Sequence, residues 1–332
     1  MKNKNYPLVS IGLFVFNGEN GLEVALDSLI GQDYPNLEII ISDNASTDAT
    51  PDICRRYAQK DPRVKYYRSK KNLGPVWNST QVIKLSSGKY FMWAAHDDHR
   101  ENSFVSSCVM KMEQCPDAVL CHTHTASFVV GQEERLCVGN LNSFEGITGL
   151  VERYRETLKH FPATAVYGLY RLSAMRKTRL SEKVIGTDVA FLQELSIHGN
   201  FAQVPKILFN YIGRKKWNTV DQDYKFMFGK ERKPWWYLPF VVLFLNHWSR
   251  VASAELPFGS KLRLWAELIK YQIRYVALKV SIKVAGRLCP DRWKVKLGSA
   301  IYRNWIMDPN LEPTFGDLFL ERIIKPTLGW WK

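Results

Sequence analysis

The sequence has no apolar run long enough to cross a bilayer. Its longest lies between Pro234 and Leu245, about half of the roughly 20 residues that a spanning helix needs. That length suits an interfacial or re-entrant segment, or a buried helix. There is no C-x-x-C pair either. Cys54, Cys108, Cys115, Cys121, Cys137 and Cys289 stand at spacings that match no zinc site, and are expected to be reduced thiols buried as small apolar residues of a cytosolic protein. Repeats and low-complexity tracts are absent, which excludes long disordered stretches. The opening Met1-Lys2-Asn3-Lys4-Asn5-Tyr6-Pro7 lacks the apolar core and cleavage site of a signal peptide, so a cytoplasmic location is expected. Acidic residues are scarce after residue 213.

The 332 residues suffice for one large domain and a smaller one. Charge is unevenly placed: 24 Lys/Arg face 22 Asp/Glu in residues 1–213, but 22 face 10 in residues 214–332. Nine of the eleven tryptophans also follow residue 213. Basic residues with interfacial tryptophan point to an anionic membrane surface rather than to nucleic acid. The competing reading is a helical domain with tryptophan in its core and a solvated basic face.

The first 120 residues alternate strand and helix. Strands are predicted over Val9–Phe16, Leu37–Ser42, Val64–Tyr67, Lys89–Ala94 and Ala118–His122. Helices are predicted from Leu22 to Ile30, from Thr50-Pro51, over Val76–Leu85 and over Asn102–Glu113. This rhythm predicts an α/β fold, a mainly parallel sheet flanked by helices, with ligands beyond the C-terminal strand ends. From about residue 216 the pattern turns helical. Arg263, Glu267, Lys270 and Arg274 share one face, whereas Lys279, Lys283 and Arg287 lie about half a turn away, which predicts a kink or two helices before Pro290.

Three loops carry chemistry. His96-Asp97-Asp98-His99 follows an apolar strand. Two adjacent carboxylates at a solvent-facing strand end suit Mn²⁺ or Mg²⁺ shared with phosphate oxygens; four consecutive residues do not make a tetrahedral zinc site. Ser42-Asp43-Asn44-Ala45-Ser46-Thr47-Asp48 offers carboxylate and amide groups to a base and ribose, although the same residues serve ordinary turns and caps. Lys70-Lys71-Asn72-Leu73-Gly74 is a basic turn, by itself no more than a solvated loop.

In order and spacing these segments, with Val9 to Asn17 and Leu26 to Asp48, resemble the family-two inverting glycosyltransferases of GT-A fold, of the bacterial polysaccharide-assembly type. The resemblance is close over about residues 7–125 and loose over 126–213. It implies a nucleotide-binding set of Phe14, Asn17, Asp43, Asn44, Asn72, Gly74 and Asp97. Asp43 and Asn44 fall where the family recognises the base, Asp97 on the ribose side, and Asp98 where the metal is held. Phe14 departs from the Pro or Thr common there. Gly186 to Leu195 resembles the segment that carries the catalytic base; Asp188 takes that role, with Glu194 as fallback. His198 to Phe201 and Val204-Pro205 continue the pattern as structural residues.

The expectation is therefore a GT-A catalytic domain over residues 1–215 and a helical, basic, Trp-rich membrane-associating region over 216–332. The expected reaction moves a sugar from a UDP- or dTDP-type donor to an acceptor hydroxyl, on a lipid-linked or other glycan, at the cytoplasmic face of an anionic membrane. Two alternatives are a nucleotidyltransferase of similar fold and a non-catalytic membrane scaffold. The first would want a basic Gly-rich loop after the first strand, where Phe16-Asn17-Gly18-Glu19-Asn20 has no Lys or Arg. The second would be free to lose the carboxylates.

Overall fold

In the computed structural model, which describes residues 6–129, 137–139, 144, 146–159, 163–213 and 219–288, strand β1 (Val9–Val15) is buried on both faces. Val9, Ile11, Leu13 and Val15 enter one apolar cluster, and Phe14 packs against the other. Such two-sided burial is what a continuous apolar strand under helices requires. Helix α1 (Leu22–Ile30), β2 (Leu37–Asp43), α2 (Thr50–Lys60), β3 (Val64–Arg68), α3 (Pro75–Lys84) and β4 (Tyr90–Ala94) follow. Next come β5 (His99–Arg100), α4 (Phe104–Gln114), β6 (Ala118–Val129), β7 (Cys137–Gly139), α5 (Leu150–Lys159) and a 3-10 turn, Ala163–Tyr167. Then follow β8 (Leu169–Arg171), α6 (Leu172–Met175), α7 (Thr187–His198), β9 (Asn200–Gly213), α8 (Val220–Phe228), α9 (Pro239–Ser253) and α10 (Phe258–Leu288).

The sheet runs β3-β2-β1-β4-β8-β6-β9-β5, with β7 against β6. Strands β3, β2, β1 and β4 are parallel. Beyond β4 the sheet is mixed: β8 is antiparallel to both neighbours, β6 and β9 pair in parallel, and β5 lies antiparallel on β9. Because β1 pairs with both β2 and β4, the chain direction of winding reverses there. A crevice for ligands opens at such a point beyond the strand ends.

At the opposite, N-terminal end of the strands a buried carboxylate ties the sheet together. Glu38 accepts from the Ser10 hydroxyl at 2.6 Å, from Ser87 N–H at 2.8 Å and hydroxyl at 2.7 Å, and from Lys65 Nζ at 2.7 Å. Burial pushes its carboxyl up, yet these donors outweigh burial and hold it at about 2. A carboxyl depressed on folding stabilises above its unfolded value and loses that contribution as the pH falls toward about 2.

The helices after residue 219 pack onto the sheet-bearing part. Val251, Leu264 and Leu268 share an apolar cluster with Tyr154, Leu158 and Ile197. Arg250 of α9, 1% exposed, pairs with Glu194 of α7, 5% exposed. It also reaches Glu182 at 2.9 Å and the Leu180 carbonyl at 2.9 Å. The expected division into two helices before Pro290 is not there: α10 runs unbroken over Phe258–Leu288. The stripe that suggested a wet face is partly an interface, since Glu267 turns inward to accept from Arg155 Nε at 2.8 Å. The side chains of Lys279, Lys283 and Arg287, and Trp217, Cys289, Pro290, Trp293, Trp305, Trp330 and Trp331, lie outside the described residues. Cys54, Cys108 and Cys121 are buried free thiols and Cys115 is half-buried. Among the described residues no helix is long and apolar enough to cross a membrane.

Removing one partner from a buried ion pair leaves the other charge uncompensated. Arg250→Ala is therefore expected to cost about 3–5 kcal/mol of stability, read by chemical denaturation. A loss under about 1 kcal/mol, the scale of an exposed pair, contradicts the brace between α7 and α9.

Candidate active site

The loops leaving β1, β2 and β3 are stitched into one floor. Asn17 adopts a left-handed backbone, φ 51°. Its N–H donates to the Ser46 hydroxyl at 2.9 Å and its side-chain oxygen accepts from Thr47 N–H at 2.8 Å. Gly18 N–H donates to the Thr50 hydroxyl at 2.9 Å. Asn44 spans to the third loop: its amide donates to Asn72 Oδ1 at 2.8 Å and to the Gly74 carbonyl at 3.2 Å, and its oxygen accepts from Leu73 N–H at 2.9 Å. Gly74 sits at φ 88°, where a side chain is strained. Asn44, Asn72 and Gly74 thus come together through direct contacts, and Asn17 joins the same loop through Ser46 and Thr47.

Asp43 is fully buried and engaged within this floor. It accepts from Ser46 N–H at 2.8 Å and from the Tyr66 hydroxyl at 2.8 Å, and it pairs with Arg68 Nε at 3.2 Å. Phe14, opposite Ser42 in the β1–β2 register, is half-buried against the apolar cluster beneath. Asn78 of α3 locks the floor from below: it accepts from the Ser42 hydroxyl at 2.6 Å and donates to the Val15 carbonyl at 3.1 Å. Nothing in its helical spacing distinguishes Asn78 in the sequence.

The fourth wall is the loop after β4. A Cβ on Gly18 would stand 2.6 Å from the His96 ring, and one on Gly21 would stand 3.0 Å from the His96 carbonyl. The β1 loop is therefore held directly against Asp97. The two carboxylates of this loop part company. Asp97 is exposed, but Asp98 is 1% exposed, so the expectation that both face solvent is corrected. The reason is β9: Ile212 N–H donates to Asp98 Oδ1 at 3.0 Å and draws the side chain inward. Asp98 Oδ2 is left buried with no hydrogen-bond partner. Burial, with Asp97 beside it, raises the Asp98 carboxyl to about 7, against the pull of Ile212 N–H and Arg100. Arg100, itself fully buried, donates to the Trp93 carbonyl at 2.7 Å and lies over the Phe209 ring at 4.8 Å.

Among the described residues no three His, Cys, Asp or Glu side chains form a ready-made cation cage. His99 is occupied with Asn210, 3.1 Å away. One unpartnered buried carboxylate oxygen nevertheless fits a divalent cation whose other ligands are phosphate oxygens and water.

Asp188 occupies the first turn of α7, after Gly186 at φ 84°. Burial raises its carboxyl above the ordinary range, against the N–H groups of Val189 and of Asp188 itself. Negative charge at a helix N-terminus is otherwise favourable. Tyr167 links the two acidic centres. Its hydroxyl is pushed well up by burial and then by the charges of Asp98, Asp97 and Asp188, with Tyr211 also contributing. All three carboxylates thus lie within electrostatic reach of this phenol. Tyr167 lies in a short 3-10 turn and carries no periodic signal in the sequence. Glu194 does not belong to this group: Arg179 N–H donates to it at 3.0 Å and Arg250 binds it, on the α9 side. Nearer to Asp188, Ile185 N–H donates to the Tyr237 hydroxyl at 3.3 Å.

Comparisons with known proteins agree with this architecture. The family model described as glycosyl transferase family 2 matches residues 10–177. An uncharacterized glycosyltransferase of Haemophilus influenzae is 33% identical over 111 residues, 33% of this chain and 34% of its own. The match thus spans about a third of that relative's length. Among solved structures, S. aureus TarS residues 1–349 in complex with UDP superposes with TM-score 0.59 at 15% identity, over 97% of this chain and 86% of that one. The mannosyltransferase PcManGT from Pyrobaculum calidifontis, in complex with GDP-Man and Mn²⁺, gives 0.54 at 15% identity, over 99% and 88%. At such identities the two structures attest a shared fold. With half of the residues covered by the family model, from β1 past the acidic pair to the strand beside β4, the chain belongs to glycosyl transferase family 2.

Proposed function

We propose that this chain transfers one sugar, with inversion, from a nucleoside diphosphate sugar of UDP or dTDP type to an acceptor hydroxyl. One observation carries the reading: Asp98, in the loop after β4, is buried with Oδ1 held by Ile212 N–H and Oδ2 without a hydrogen-bond partner, beside the loops that leave β1 to β3. The UDP and GDP-Man complexes of the fold neighbours support a nucleotide-sugar donor. Phe14, Asn17, Asn44, Asn72, Gly74 and Asp97 form the floor for the nucleotide. Asp43 acts from within by fixing the loop. Residues 1–215 supply the chemistry. Residues 216–332 meet an anionic membrane at its cytoplasmic face, where the acceptor is a lipid-linked glycan of surface polysaccharide assembly.

Asp98 would hold Mn²⁺ or Mg²⁺, which when bound would supply positive charge to the departing diphosphate. Asp188 takes the proton of the acceptor hydroxyl as its oxygen forms a bond to the anomeric carbon. The bond from that carbon to the diphosphate breaks on the opposite face, and the electron pair leaves with the phosphate oxygen. A carboxylate whose pKa is raised is a stronger base than an ordinary one.

Asp98→Asn keeps an oxygen for Ile212 N–H and removes the buried carboxylate. It is expected to leave the thermal midpoint unchanged or higher, while activity with Mn²⁺ falls at least about a hundredfold, the scale of several kcal/mol of charge stabilisation. Undiminished turnover with Mn²⁺ removes Asp98 from the metal site.

Asp188→Asn is expected to lower turnover about 10²–10⁴-fold with donor affinity unchanged. In the wild type, protonation of Asp188 abolishes the base, so turnover at saturating donor should fall on the acid side. With the pKa raised, that limb lies above the ordinary value of about 3.9, and the Asn variant lacks it. Lost donor affinity at unchanged saturated turnover makes Asp188 a binding residue instead.

A further inference from the structure

Helix α10 presents three faces. Leu264 and Leu268 are buried against α5 and α9. Phe258, Leu262, Ile269, Ile273 and Val276 are exposed, Phe258 at 68% and Ile273 at 63%. At 100° per residue these five fall within an arc of about 60°. Arg263, Lys270 and Arg274, all exposed, fall in the adjoining arc on the side away from the core. The single acid of this helix, Glu267, is taken by Arg155 at 2.8 Å and Lys270 at 3.0 Å. Residues 258–288 carry seven basic residues and one acidic. A second exposed aromatic element precedes α9: Trp235 is 88% exposed and Trp236 stands beside it, after the exposed Lys230 and Arg232.

From this we infer that the outer apolar stripe of α10 docks on an anionic lipid bilayer, lying in the interface, with Arg263, Lys270 and Arg274 against the headgroups. The inference rests on the membrane-facing role proposed above and names the surface that performs it. An apolar stripe flanked by basic residues, on a helix too polar to cross, is the arrangement of an interfacial helix. Basic residues near such a surface each gain attraction that salt screens. A second copy is a poorer occupant, because two such faces would set Arg263, Lys270 and Arg274 against like charges of the other copy. Nucleic acid would leave the five apolar side chains in water.

The test is co-sedimentation of the full chain with vesicles of phosphatidylcholine, with and without phosphatidylglycerol, in the absence of donor. The chain should pellet with the anionic vesicles, and less as salt is raised. Ile269→Glu with Ile273→Glu should lower the partition coefficient more than about tenfold, the loss of two apolar anchors, at an unchanged thermal midpoint. In the wild type, bromine-labelled lipid should quench tryptophan fluorescence, a readout independent of any variant. Failure to pellet at low salt, or equal pelleting of the double variant, overturns the inference. So does a wild-type dimer that the double variant dissociates, which assigns the stripe to a second copy. Nucleoside diphosphate release without vesicles is scored separately, so a lost docking surface is distinguished from a lost transferase.

Discussion

Asp98 is the constraint on which the site depends. A carboxyl group at 1% exposure, with one oxygen bound by Ile212 N–H and the other without a partner, is costly unless a cation completes it or it holds a proton. It is held there by the long parallel pairing of β6 with β9, which carries Ile212 alongside the loop after β4. The second, mixed half of the sheet is thus what turns an acidic surface loop into an interior one. Arg100, buried between Phe104, Tyr167 and Phe209, supplies the nearby positive charge that keeps the arrangement tolerable without neutralising it.

The remaining architecture serves position. The floor beneath the crevice is built from backbone N–H groups answered by short side chains, Ser46, Thr50, Asn44 and Asn72. This demands little volume and leaves the surface above open. Asp188 is placed from the other side. Helix α7 is clamped through Glu194 by Arg250, and the chain just before Asp188 touches Tyr237. The described part of the C-terminal region therefore braces the helix that bears the proposed base, besides offering its outer faces to other partners.

The first half of the fold was legible because its signals are local. Apolar strands, Pro at helix starts and helical apolar spacing put β1 to β4 and α1 to α4 within a residue or two of their places. The second half was not. Strand β6 runs on through His122-Thr123-His124-Thr125, a polar stretch without strand alternation, because β9 pairs along it with bulges. Strand β9 contains Pro205, which weakens any strand signal in the sequence. The carboxylates Asp97, Asp98 and Asp188 were visible as residues, but the inward turn of Asp98 was not, since its donor lies 114 positions away. Tyr167 and Asn78 carry no motif; only the three-dimensional meeting of segments reveals them. For α10, periodicity gave the charged faces but could not tell that Glu267 faces α5.

In the proposed reaction the crevice cleaves a nucleotide sugar at the bond between the sugar and the diphosphate. The most direct measurement is product analysis after incubating the chain and Mn²⁺ with a panel of nucleotide sugars. Release of intact nucleoside diphosphate, with the sugar transferred to acceptor or water with inverted configuration at its anomeric carbon, is the predicted result. Release of nucleoside monophosphate and sugar phosphate, which cuts between the phosphates, would contradict it.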